Sequence, residues 1–324
     1  MASNPFSQAV ASAGTEAVSG PPSGGDYLAD RLFRALAYAG AAVVLVLVAY
    51  IIWEIGGQAA PAISEYGLSF LTTSSWNVSE EQFGILPEIW GTMYSSLLAL
   101  AIGGFFGIFI AIFLTQGFLP PKLAVIFRTI VELLAAIPSV VYGLWGIYVV
   151  IPALRPVANW LHETLGFIPL FGSSLSGPGL MPAALVLAIM ILPTVAAISQ
   201  DALHLIPYKV KEAAYGMGTT RWEAITKVLL PTASRGIFGS LVLGFGRALG
   251  ETMALAMLIG NSNQISLSLF APANTLAALL ANSFPEAGAI EVQALMYAAI
   301  ALLAITLIVN VIGLLVMSIA VKQQ

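Results

Sequence analysis

Six apolar stretches, each long enough to cross a bilayer, constrain this chain more than any other feature. They lie near residues 35–56, 90–114, 123–151, 181–203, 236–260 and 295–320. A hydrocarbon core of about 30 Å takes about 20 helical residues. None of the stretches shows the period-two alternation of a barrel strand. In lipid a spanning segment must satisfy its own backbone polar groups, so these stretches predict helices. Composition agrees: 59% of the 324 residues are hydrophobic and 9% are charged, too few charges to solvate a soluble globule, which averages about 25%. The expected fold class is all-α, a polytopic membrane protein with six transmembrane helices.

Residues 1–30 hold no Lys or Arg and carry the breaker cluster Gly20-Pro21-Pro22-Ser23-Gly24-Gly25. They are expected to form a disordered cytoplasmic tail, with residues 31–324 as the membrane domain. With the N-terminus inside, one side holds Arg31, Arg34, Lys122, Arg128, Lys209, Lys211, Arg221, Lys227, Arg235 and Lys322. The other holds only Arg155, and Arg247 falls within a span. That asymmetry predicts cytoplasmic N- and C-termini. It leaves three long outer loops, 57–89, 152–180 and 261–294. In the last of these, Asn274 to Ala281 reads as a short interfacial or re-entrant helix begun by an Asn cap.

Several activities are excluded. The chain has no cysteine, hence no disulfide or thiolate chemistry. His162 and His204 lack metal-ligand spacing. None of the five lysines follows a glycine, so there is no P-loop, and neither a Gly-x-Ser-x-Gly elbow nor a His-Glu-x-x-His pair occurs. The chain is read as no enzyme, with no cofactor of its own.

The segment 204–235 is long, polar and basic, between two spans. Residues 208–217 and 220–229 each predict a short helix, broken at Gly218 and stopped by Pro231. Glu223 is placed to close a capping box on Thr220. The series Glu212-Ala213-Ala214, three residues, Gly218, nine residues, then Val228-Leu229-Leu230-Pro231 resembles the EAA loop of binding-protein-dependent ABC importer permeases, with Val for the family's Ile. The resemblance implies that Glu212, Ala213, Ala214, Gly218, Arg221, Leu230 and Pro231 belong to a coupling element seated in a cleft of an ATPase subunit.

Three further segments resemble phosphate-specific permeases. They are Phe83-Gly84-x-x-Pro87-x-x-x-Gly91-Thr92, the run from Leu133 through Pro138, Tyr142 and Gly143 to Gly146, and Gly246-Arg247-Ala248-Leu249-Gly250-Glu251-Thr252-Met253-Ala254. Trp145 and Met253 are more similar to the PstC-type subunit than to its PstA-type partner. The resemblance covers roughly residues 28–320. It implies a type I ABC importer permease working with a homologous PstA-type permease, a PstB-type ATPase dimer that binds ATP and Mg, and an extracytoplasmic PstS-type phosphate-binding protein. No nucleic acid is involved.

Arg247 and Glu251 are informative without the family. A charge at mid-bilayer costs about 3 kcal/mol on insertion scales. Residues four apart on a helix share a face, and Gly236, Gly239, Gly244, Gly246 and Gly250 allow close helix approach. An arginine is also suited to bidentate contact with a tetrahedral oxyanion. The expectation is a mid-membrane anion station with Glu251 holding Arg247; the alternative is a permanent ion pair that locks helices. Arg128 and Glu132 repeat the spacing nearer the cytoplasmic end, where Arg128 can snorkel. His204 reads as merely interfacial. Rival functions are an ABC permease for another oxyanion, molybdate or sulfate, and a proton-coupled secondary transporter in which the EAA-like loop has no purpose.

Overall fold

The computed structural model describes residues 24–322. Helix α1 (Gly24–Tyr66) supplies the first span. Its residues up to Glu54 belong to a unit of their own, and every side chain from 24 to 54 is exposed. Leu45, Val46 and Trp53 are among them. A helix apolar on all sides suits lipid, not water. Residues 24–30, expected from sequence to be part of the tail, form its first turns, with Arg34 paired to Asp30 at 2.9 Å. The remaining tail residues, 1–23, lie outside the described residues.

The second unit starts at Ile55. Besides the single helical turn Ser69–Thr72, its α-helices are α2 (Leu86–Thr115), α3 (Pro121–Ala136), α4 (Ser139–Leu165), α5 (Leu180–His204), α6 (Tyr208–Gly216), α7 (Arg221–Leu249), α8 (Met253–Leu258), α9 (Leu276–Ser283) and α10 (Ala289–Lys322). Among the described residues six helices are long and apolar enough to cross a membrane: α1, α2, α4, α5, α7 and α10.

Two spans differ from the sequence reading. The apolar run 123–151 is not one helix, because a residue before proline is driven out of the α region. Ile137 (φ −70°, ψ 127°) and Pro138 (φ −60°, ψ 142°) take an extended step that separates α3 from α4. The span then continues past 151 to Leu165, through Arg155, His162 and Glu163, which the sequence reading places in an outer loop. The run 236–260 is also interrupted. Helix α7 ends at Leu249, residues 250–252 are not helical, and α8 resumes at Met253.

Two of the prolines within the long helices, Pro152 and Pro231, have a local remedy. Proline removes an N–H and collides with the carbonyl four residues back. A π turn spans Gly146–Val150 before Pro152, and another spans Ala224–Leu229 before Pro231. In each, the last N–H before the proline bonds five residues back, Ile151 to Gly146 and Leu230 to Ile225. The wider ring relieves the collision, so Pro231 does not stop the helix as its sequence suggests.

The main core joins α2, α4, α5, α7 and α8 through residues such as Ala99, Tyr142, Leu187, Ile191, Ala248 and Leu258. The packing of α2 on α5 is the most extensive. Helices in lipid gain little from apolar burial and associate through close contact of small residues. Gly103 shows this: a Cβ there would sit 2.5 Å from the Ala188 carbonyl oxygen and 2.8 Å from Ile191 Cγ1. Gly103→Leu is therefore expected to lower the thermal midpoint of the detergent-solubilised chain markedly, by overpacking worth about 1–3 kcal/mol or more. Gly40→Leu, with open space around its Cβ, should leave the midpoint within error.

The segments between spans at the end opposite the 204–235 loop are packed. Trp76–Asn77 pairs antiparallel with Gln82–Phe83. Phe70 stacks on Tyr297 at 4.4 Å, and the Tyr297 hydroxyl donates to the Gly67 carbonyl at 3.0 Å. Trp90 Nε1 and the Tyr94 hydroxyl donate to the carbonyls of Ser266 and Leu267. Helix α9 buries Leu276 to Leu279 against the rest of the protein. Its cap is Thr275, which accepts from the Ala278 N–H at 3.2 Å. Asn274, expected to be the cap, is buried and donates to Glu88 and Asn263.

Candidate functional site

The candidate residues fall into three places. The first is the hairpin formed by α6 and the start of α7. Pro207 precedes α6 and leaves its first turn without a conflicting N–H. Gly218 has φ +81°, a left-handed conformation that L residues with a Cβ avoid. The expected capping box is present: Thr220 Oγ1 accepts from the Glu223 N–H, and the Glu223 carboxylate accepts from the Thr220 N–H at 3.1 Å. Lys227 pairs with Glu223 at 3.1 Å.

The hairpin is seated by Leu203, Ile206, Ile225, Leu229 and Ala233, which pack with Ala111 of α2. The EAA residues divide accordingly. Ala214 is buried, and its carbonyl accepts from the Thr219 hydroxyl at 2.8 Å, so its side chain anchors the hairpin and does not face a partner. Glu212 and Ala213 are exposed, as are Tyr208, Tyr215, Met217 and Trp222. Arg221 is exposed too, its guanidinium 5.3 Å from the centre of the Phe118 ring. Leu230 and Pro231 are half-buried within α7. Thr220→Ala should weaken the cap by roughly 1 kcal/mol, seen as faster amide exchange over residues 220–224, while Thr220→Ser should retain protection.

The second place is the break in the fifth span. Arg247 lies in the last turn of α7, where a cation complements the helix dipole, and it is exposed. Glu251 lies in the non-helical step, and its Oε1 accepts from the Ala254 N–H at 3.4 Å. Four residues apart no longer means one face, because the helix stops between them. Among the described residues no ion pair within 4.0 Å joins Arg247 to Glu251 or Arg128 to Glu132; those present are Arg34–Asp30 and Lys227–Glu223.

The two motif segments of the third and fifth spans do meet. A Cβ on Gly143 would lie 2.7 Å from Met257 Sδ, and one on Gly146 would lie 2.6 Å from Leu258. The Tyr142 hydroxyl bridges the α3–α4 step by donating to the Leu134 carbonyl at 2.8 Å. Of the span-five glycines, Gly236 meets Ala202, Gly244 meets Val195, Gly246 meets Asn310, and Gly239 faces open space. Non-helical backbone at membrane depth persists only where protein covers it or a cavity adjoins it, and at the 250–252 step α4 packs against the helix that follows.

The third place is the end of α5. Arg128 donates from Nε to Gln200 Oε1 at 3.1 Å, and its Nη2 lies 3.0 Å from His204 Nε2. Gln200 gives no signal in the sequence, since an amide on an otherwise apolar helix is indistinguishable from an ordinary polar end. His204, expected to be merely interfacial, has a specific partner.

Known proteins place this fold. A family described as binding-protein-dependent transport system inner membrane component matches residues 103–322. The chain is 43% identical over 265 residues to a phosphate transport system permease protein PstC of Mesorhizobium japonicum, covering 80% of this chain and 81% of that protein. It is 39% identical over 303 residues to the Pasteurella multocida protein of the same name, covering 92% and 94%. Among solved structures, a bacterial alginate ABC transporter chain matches with a TM-score of 0.60 at 18% identity, over 88% of this chain and 94% of that one. A chain of the MetNI methionine ABC transporter matches with a TM-score of 0.53 at 18% identity, over 73% and 95%. These structures share the fold. With its six apolar helices and this family match, the chain belongs to the binding-protein-dependent transport system inner membrane component family.

Proposed function

We propose that this chain is one permease subunit of an ATP-driven importer that moves inorganic phosphate across the cytoplasmic membrane. The observation that carries the reading is the seated hairpin: a rigid two-helix element with an exposed apolar and basic surface, continuous through α7 with the break beside Arg247. The phosphate permeases that the chain resembles over most of its length support the substrate. The charge asymmetry supports a cytoplasmic hairpin and cytoplasmic termini.

A homologous PstA-type permease supplies the other half of the pathway. A PstB-type ATPase dimer, holding ATP and Mg, docks on Glu212, Ala213 and Arg221, and a PstS-type phosphate-binding protein docks on the opposite face. This chain needs no cofactor of its own. Closure of the ATPase dimer displaces the hairpin, and α7 transmits that movement to the 250–252 step. Arg247 meets the anion at mid-membrane, and Arg128 meets it nearer the cytoplasm. Glu251 and Glu132 set the local charge.

The test is uptake by the assembled complex in sealed vesicles with ATP and Mg inside, the binding protein outside and a proton uncoupler present. Phosphate uptake should persist, and sulfate and molybdate should not compete. Uptake abolished by the uncoupler, or carried equally by sulfate, would overturn the reading.

A further inference from the structure

A guanidinium has five N–H donors and no acceptor. Arg128 commits its Nε–H to Gln200 and one N–H of Nη2 to His204. His204 Nε2 must therefore be the acceptor, which makes the imidazole neutral with its proton on Nδ1. Gln200 is only 4% exposed, so a buried amide oxygen fixes one edge of the guanidinium. An arginine that merely snorkels to the interface needs no such holder.

The other three N–H groups, two on Nη1 and one on Nη2, belong to an exposed side chain. Glu132, one turn further along α3, forms no ion pair with it. The cluster joins α3 to the end of α5, where Leu203 and Ile206 seat the hairpin. A planar donor array with a free edge suits a tetrahedral oxyanion.

We propose that Gln200 and His204 are positioning residues that hold the Arg128 guanidinium as an anion fork, binding phosphate as it leaves the spans beside the coupling hairpin; this rests on the phosphate reading above.

Phosphate accumulated on that side should occupy the fork and inhibit further uptake. The assembled complex is sealed in vesicles with ATP and Mg inside and binding protein outside. Labelled inorganic phosphate is supplied outside, and unlabelled inorganic phosphate is graded inside. The reading is the internal concentration that halves uptake, normalised to uptake of the same variant into phosphate-free vesicles. His204→Leu and Gln200→Leu should raise that concentration about tenfold, the loss of one charge-assisted hydrogen bond. His204→Gln keeps an acceptor and should stay within about threefold of the parent. Arg128→Lys keeps the charge but not the fork, and should match His204→Leu; it decides the matter if the leucine variants do not assemble. Unchanged half-inhibition across these variants, or none in the parent, would overturn this inference alone. A parent complex without ATP-driven phosphate uptake would overturn the reading beneath it.

Discussion

Gly218→Val is expected to leave the protein inserted and bound to its ATPase while phosphate uptake falls at least about tenfold. Gly218 holds φ +81°, with nothing within 4 Å of where a Cβ would stand. The penalty is thus one of backbone conformation and not of crowding. A β-branched residue in the left-handed region costs about 1–2 kcal/mol, and the hairpin can escape that cost only by changing the angle between α6 and α7. The buried anchors Ala214, Ile225 and Leu229 would still hold the hairpin's base, so docking persists while its outer surface is misdirected. ATP hydrolysis should continue without matching uptake. Gly218→Asn provides the control, because Asn tolerates this region and should keep most of the uptake. Coupled transport by the valine variant, or equal failure of valine and asparagine variants, would refute a conformational role.

Arg247→Gln should lower phosphate uptake by roughly 10–100-fold at equal complex assembly, the scale of one or two charge-assisted hydrogen bonds. The structure sharpens the choice between an anion station and a helix lock. A lock needs an ion pair, and Glu251 instead spends its carboxylate oxygen on the first turn of α8. Removing the arginine therefore breaks no carboxylate contact, and assembly should survive. Glu251→Gln retains an oxygen acceptor for the Ala254 N–H and should reduce uptake far less than Arg247→Gln. The double variant Arg247→Gln with Glu251→Gln should resemble the arginine variant. Near-parental uptake by the double variant would remove Arg247 from the pathway and restore the lock.

Both predictions depend on features that are legible in the sequence to different degrees. The Glu212 to Pro231 series is readable because its chemistry is local: a proline start, a glycine that must turn, and a Thr-x-x-Glu box within four residues. The Arg247 neighbourhood is only half readable. Its charge and depth are evident, but the helical spacing expected for Glu251 fails, since a Gly-Glu-Thr step ends a helix only when neighbouring helices hold the next segment in place. Here α4 does so, through the close approach of Gly143 and Gly146 to α8. The roles of Gln200 and His204 are not readable, because they depend on α3 lying across the end of α5.

By itself the sequence determined the number of spans, the basic end of the molecule, the first short helix of the hairpin and the break at Gly218 that follows it. Each arises from hydrophobic length, charge or residue-specific backbone preference, all of which act within a few residues. Only the tertiary structure decided where spans break, which glycines are contacts and which face open space, and which polar group each charge engages. In lipid those choices are made by helix–helix fit and by the need to satisfy buried polar groups, and both depend on residues as distant in the chain as Arg128 and His204, or Asn274 and Glu88.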